Sequence, residues 1–466
     1  MFQRNLKFVE NNNILLETNT HKMPYQAYFD GPHNYPKRFN FYESGGSPFL
    51  LEKLIATIEH NKQDIQSITL AWYLYNNKKL HEYLRELSTT GILINVITIP
   101  LEGYDNQNPK PLITKKTGVK TTRVYTKYAL AKAIFSEAYH AADCPNYQLH
   151  FFPHLYVRSH RVKKFSRGNL PYSLHLKGAF ITKKNGFILA LSSSNLAVRD
   201  LVKQESMVFI EDEPEYLEST QTFFDHLLAN SIPLTSFTAQ LNTSKNNYAF
   251  CRSNNSTECF FTAPFYFDSA NDLEKRIIPI INKATRRIII CAQHLAAYDY
   301  PFKAAFHSTQ SGRVIRNGLL GAIIAKAKLG ISTTCLSQTF VPSSEQKAQF
   351  STHKFRRPAN TSNFKAFYAA LATAPQANYF VNANIHSKFI IIDDLLIYCT
   401  YNFTPTQFIF LDKVKIDRFD EMPDLTYEGI HCEVGAHVII KEPSILNAFL
   451  DNVALIVRGK DTVKVL

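Results

Sequence analysis

The sequence predicts an α/β fold built twice: two sandwich domains in tandem, each with a mixed, largely parallel sheet flanked by helices. Three observations carry this expectation. Stretches with apolar residues at helical spacing alternate with buried apolar runs, the same order of elements occurs in both halves, and each half arrives at a His-x-Lys pair at the mouth of an apolar run.

In the first half, SPFLLEKLIATIEHNKQD (47–64) has helical spacing and SITLAWYLY (67–75) reads as a buried strand. A second helix, LHEYLRELSTTG, stops at Gly91, and ILINVITIP (92–100) is the next strand. The second half repeats the order. NDLEKRIIPIINKATRR (271–287) is helix and IIICAQHL (288–295) strand; GLLGAIIAKAKLG (318–330) is helix, stopped by Gly330, and ISTTCLSQTF (331–340) strand.

Each half then reaches its pair, His175 with Lys177 and His386 with Lys388. A hairpin follows, turning at KKNG (183–186) in the first copy and at Asp393-Asp394 in the second. The return strands end in hydroxyl-x-Asn, Ser193 with Asn195 and Thr400 with Asn402. Downstream, a strand opens on Glu205 in one half and on Glu433 in the other, and an amphipathic helix closes each copy. These positions divide the chain into an N-terminal extension (1–44), a first domain (45–235) with a basic insertion (103–170), a linker (236–262) and a second domain (263–466). His60-Asn61-Lys62 is a chance His-x-Lys, since none of the later elements follows it.

With 45% hydrophobic and 20% charged residues the 466-residue chain is globular rather than disordered. Its formal charge of +13 points to an anionic partner: a nucleic acid, an acidic lipid surface or a phosphorylated substrate. Seven scattered cysteines without a CxxC fit free thiols in a reducing compartment. With no signal-like or membrane-spanning stretch, a cytoplasmic location is expected.

Residues i and i+2 of a strand share a face, so each half offers an imidazole and an ammonium to one point, and the asparagine returns to the same rim. Lysine carries its proton and repels a cation, so the set is a poor metal site, and no cofactor is needed. It suits a phosphate. Two ammoniums and two amides complement its oxygens, while one imidazole attacks phosphorus and the other protonates the leaving oxygen.

HSKFIIID with the downstream TYN resembles the HxKxxxxD motif of the phospholipase D superfamily, and HLKGAFIT with SSSN is similar to a variant copy. The resemblance spans residues 45 to 460 and implies a two-domain sandwich with the active site at the pseudo-twofold seam. It implies His175 and His386 as nucleophile and general acid/base, with the N-terminal His175 as the attacking one. Lys177, Lys388, Asn195 and Asn402 become phosphate ligands, Ser193 and Thr400 supporting hydroxyls, and Glu205 and Glu433 the acids that orient the histidines. Asp393 fills the motif's aspartate position and is grouped with the catalytic set; its counterpart is Thr182, an absence of Asp similar to that in the tyrosyl-DNA phosphodiesterases, while SSSNL followed by an arginine resembles nuclease-like members.

The superfamily cuts phospholipids, nucleic acids and protein–DNA adducts, so local charge has to choose. Residues 106–136, 154–169 and 353–358 are basic, interleaved with Tyr and Phe, which favours a nucleic-acid groove. The alternatives are a phospholipase or phosphatidyltransferase acting on phospholipids at an anionic membrane surface, and a non-catalytic nucleic-acid or membrane adaptor. Both motifs lie in one chain, so a monomer suffices for one site.

Overall fold

The computed structural model describes residues 24–31, 49–100, 127–140, 144–152, 174–196, 203–237, 248–266, 273–295, 299–301, 314–316, 318–338, 361–400, 402–403, 411–416, 427–431 and 433–466. The first half runs β1 (Tyr25–Asp30), α1 (Phe49–Asn61), β2 (Ile65–Trp72), α2 (Lys78–Ser88), β3 (Leu93–Thr98), α3 (Lys127–His140) and β4 (Tyr147–Phe151). It continues through β5 (Lys177–Lys183), β6 (Gly186–Ser192), β7 (Glu205–Glu211), α4 (Pro214–Ala229) and β8 (Ile232–Pro233). The second half begins β9 (Cys259–Thr262), α5 (Leu273–Asn282), β10 (Arg287–Ala292), β11 (Asp299–Pro301), β12 (Val314–Arg316), α6 (Gly318–Lys328), β13 (Ser332–Ser337) and α7 (Thr361–Ala372). It ends with β14 (Ala377–Asn382), β15 (Phe389–Ile392), β16 (Leu395–Cys399), β17 (Leu411–Ile416), β18 (Tyr427–His431), β19 (Gly435–Ile440), α8 (Pro443–Arg458) and β20 (Thr462–Lys464).

Once the added pairs β11–β12 and β17–β18 are set aside, the two halves match strand for strand. One eight-stranded sheet is ordered β1-β7-β6-β5-β2-β3-β4-β8 and the other β9-β19-β16-β15-β10-β13-β14-β20. The duplication therefore extends further than the sequence indicated. Tyr25–Asp30, read as extension, pairs antiparallel with β7, and Cys259–Thr262, read as linker, pairs antiparallel with β19. Both are short edge strands without clean alternation, which gives the sequence little periodicity to read.

The sheets are mixed, but not largely parallel. In the first, only β2–β3 and β3–β4 are parallel, because only these are joined through helices. The hairpins β5–β6 and β15–β16 and their neighbours are antiparallel. The helix stops sit where expected: Gly91 and Gly330 take φ of +93° and +88°, the left-handed values that end α2 and α6 at little cost to glycine. Both α4 and α8 open on a proline at the first turn, where its missing N–H leaves no bond unmade.

The closing helix of each half packs against the opening strand of the other. On α4, Phe224 stacks on Phe180 of β5, while Phe223 stacks on Phe261 of β9 at 4.2 Å. On α8, Phe449 meets Phe29 of β1 at 4.8 Å and Phe389 and Tyr398 of the second sheet. These two helices thus lie between the sheets, and one apolar core runs from the first half through the seam to Val434, Ala436 and Val438. A second core, with Ile277, Ile323, Phe367 and Leu371, fills the outer layer under α5, α6 and α7. Among the described residues no helix is long and apolar enough to cross a membrane.

Candidate active site

Each histidine sits just ahead of its hairpin, on a segment that pairs with the other half. Leu174 bridges Val434 and Ile385 bridges Gln204. His175 N–H donates to Val434 O (2.9 Å), and His386 N–H donates to Gln204 O (3.0 Å). The backbone thereby draws both His-x-Lys pairs to the seam.

The side chains cross it as well. His386 Nδ1 lies 2.6 Å from Glu205 Oε1, and His175 Nδ1 lies 3.2 Å from Glu433 Oε2. His386 is thus hydrogen-bonded through Nδ1 to the other half's carboxylate, and His175 faces its counterpart at ion-pair distance. Lys177 Nζ donates to His175 O (2.8 Å); Lys388 Nζ donates to His386 O and, at 3.4 Å, to Ser193 O across the seam. Both lysines are 0% exposed. Burial pushes the Glu205 carboxyl upward while Lys388, Lys203 and Lys177 pull it down, so one carboxylate senses ammoniums from both halves.

The two acids are not equivalent in register. The bridges make Gln204 the counterpart of Val434, so Gly435 stands where the first half has Glu205, and Glu433 stands where it has Lys203. Glu433 is two residues earlier on the same strand face, so it approaches His175 from roughly 6–7 Å further along the chain. The hydroxyls differ accordingly. Ser193 Oγ accepts from Ser206 N–H (2.9 Å) and donates to Glu205 Oε2 (2.5 Å); Thr400 Oγ1 accepts from Ala436 N–H (3.1 Å), beside the glycine. The environments are unequal too, His175 being 21% exposed at its side chain and His386 7%.

Asn195 and Asn402 follow the return strands β6 and β16, as the sequence placed them. Asn402 is 6% exposed, and among the described residues its Oδ1 has no hydrogen-bond partner. Asp393 does not join them, which corrects the sequence reading that grouped it with the catalytic set. It occupies the β15–β16 turn with φ +51°, roughly 20 Å of chain from His386 at strand spacing. Its carboxylate accepts the N–H groups of Arg286 (2.8 Å), Thr285 (2.9 Å) and Arg287 (3.0 Å), and so pins the hairpin to the entry of β10. Thr182, at the matching motif position, bonds Ser67 of β2 at 2.6 Å. The aspartate's work is thus structural in one half and handled by a hydroxyl pair in the other.

Burial opposes ionisation of Asp393, but the N–H groups of Arg287, Thr285 and Arg286 outweigh it and hold the pKa down to about 2. A folded-state pKa below the unfolded value of about 3.9 gives stability that is present above pH 4 and lost as pH falls toward 2. Asp393→Asn should lower Tm at pH 6. The Tm gap to the parent should close between pH 4 and 2 in thermal scans; a gap independent of pH would refute this anchoring role.

Tyr73, just past β2, also belongs to the site. Its ring meets His175 edge-on at 5.3 Å, and Lys177 Nζ lies 5.4 Å from its centroid. In the sequence it is one aromatic in an apolar run, indistinguishable from core. The basic stretches 154–169 and 353–358, and 106–126, lie outside the described residues.

No family model matches the chain and no curated protein does. Among solved structures it is similar to polyphosphate kinase from Porphyromonas gingivalis, with 7% identity and a TM-score of 0.48 over 93% of this chain and 50% of that one. The chain therefore spans about half the length of that kinase. It is similar to phosphatidylserine synthase from Haemophilus influenzae Rd KW20, at 13% identity and a TM-score of 0.46, over 89% of this chain and 85% of that one. It is also similar to the yeast tyrosyl-DNA phosphodiesterase, at 12% identity and a TM-score of 0.39, over 89% and 88% of the two chains.

Proposed function

We propose that the chain is a phosphodiesterase of the phospholipase D type, cleaving a phosphodiester through a covalent phosphohistidine without a metal ion, and that its substrate is a nucleic acid. One observation supports the reading: two fully buried lysines and two imidazoles lie on segments that pair across the seam, with His386 Nδ1 bonded to Glu205 and His175 Nδ1 3.2 Å from Glu433. Glu205 offsets part of the cost of burying these ammoniums, and a phosphate is the further anion that two lysines and two asparagine amides fit.

In the first step Nε2 of His175, the more accessible ring, attacks phosphorus in line. The P–O bond to the leaving group breaks as that oxygen takes a proton from Nε2 of His386. Lys177, Lys388 and the amides of Asn195 and Asn402 hold the non-bridging oxygens, where charge grows in the transition state. In the second step His386 removes a proton from water, the water oxygen bonds to phosphorus, and the P–N bond breaks to restore His175. Glu433 and Glu205 stabilise each imidazole while it carries positive charge.

The preference for nucleic acid rests on the +13 charge and on the basic, aromatic-interleaved stretches. The test incubates the purified chain in EDTA with end-labelled single- and double-stranded DNA, with RNA, and with phosphatidylglycerol vesicles. Cleavage of a nucleic acid, weakening steeply with salt, is expected. Consumption of the vesicles alone would move the substrate to phospholipid, and binding without turnover anywhere would leave an adaptor.

A further inference from the structure

The short segment that carries Asn195 is gripped from both sides. Toward β7, Ser193 N–H donates to Ser206 O (2.9 Å) and Ser193 Oγ donates to Glu205. Beyond Asn195, Leu196 is buried and holds φ +54°, a left-handed conformation that leucine adopts only when its surroundings impose it. Two bonds do the imposing: Leu196 N–H donates to Ser194 Oγ (2.9 Å), and Leu196 O accepts from Asn77 Nδ2 (2.8 Å).

Asn77 precedes α2 and is 8% exposed. Its amide divides its work, for Oδ1 accepts Leu80 N–H (3.1 Å) and caps the helix while Nδ2 reaches the loop. A strained residue beside a candidate phosphate ligand, locked by a donor from a rigid helix cap, is an arrangement that fixes where the ligand's amide sits. We infer that Asn77 is a positioning residue for Asn195, setting its carboxamide against the phosphate through Leu196. The inference rests on the phosphodiesterase reading.

Capping needs only the oxygen of Asn77, and loop anchoring needs only the nitrogen, so the two roles can be separated. Asn77→Asp and Asn77→Ser each keep an acceptor for Leu80 N–H; the first has no donor, and the second draws its donor back by one bond from Leu196 O. With bis(p-nitrophenyl) phosphate as probe, kcat should fall about tenfold in both variants, the worth of one lost hydrogen bond. KM should change less, and Tm should stay close to that of the parent. Added to Asn195→Ala, either substitution should cost little more, because the group being positioned is already gone. Parental kcat in both Asn77 variants, a fall in kcat that tracks a fall in Tm, or full additivity with Asn195→Ala would each overturn the inference. The phosphodiesterase reading fails differently: the parent chain leaves the probe intact, or His175→Ala cleaves it as fast as the parent, and the positioning role then falls with it.

Discussion

Alanine at His175 or at His386 should cut turnover by about 10³-fold or more while leaving the fold intact, as judged by an unchanged thermal midpoint. The two losses should differ in kind. With the nucleophile gone no covalent adduct can form, whatever the leaving group. With the acid gone, a leaving group that departs without a proton restores the first step only. A p-nitrophenyl phosphodiester should therefore give His386→Ala a burst of p-nitrophenol and a stable phosphoryl adduct at His175, detectable as a mass increase after rapid quench, whereas His175→Ala should show neither. The reverse pattern would exchange the two roles. Full activity in both variants would end the proposal.

The second large effect separates activity from stability. Lys177→Met and Lys388→Met should each lower turnover about 10²- to 10³-fold, since each removes one positive charge aimed at the oxygens that gain charge in the transition state. Their thermal midpoints should hold or rise. Both ammoniums are fully buried, donate to carbonyl oxygens of His175, His386 and Ser193, and both pull down the buried Glu205 carboxyl. The methionine removes the cost of burying an ammonium, and the Glu205 carboxyl, which burial already pushes upward, can take up a proton instead of standing as an uncompensated charge. A midpoint that drops by many degrees would mean that these lysines hold the seam together. Unchanged turnover would remove them from the chemistry.

Much of this was legible in the sequence because it was written twice. The order of helices and strands, the hairpins and the placement of His175, Lys177, His386 and Lys388 followed from apolar periodicity and from its recurrence, and neither depends on tertiary contacts. What escaped depends on pairing between distant segments. Glu205 and Glu433 both open a strand in the sequence, but only the bridges to Ile385 and Leu174 reveal that they are offset by two residues and that each serves the other half's histidine. Asp393 lies within the motif that marks the site, yet its carboxylate is spent on three backbone N–H groups of residues more than a hundred positions earlier. Tyr73 and Asn77 carried no local signal, since an aromatic at a strand end and an asparagine before a helix are ordinary punctuation until the loop they touch is known. The edge strands β1 and β9 were too short to show a period, and their membership in the sheets comes from hydrogen bonds that span more than 170 residues.

The reciprocal seating of α4 on β9 and α8 on β1 has a consequence for how the molecule can be divided. Neither lobe owns a complete interior, so a fragment ending after β8 would strip Phe223 of Phe261 and Phe29 of Phe449 in one cut. The chain behaves as a tethered pair of interdependent monomers. Neither lobe should therefore fold as a separate fragment, and the two should unfold in a single cooperative step.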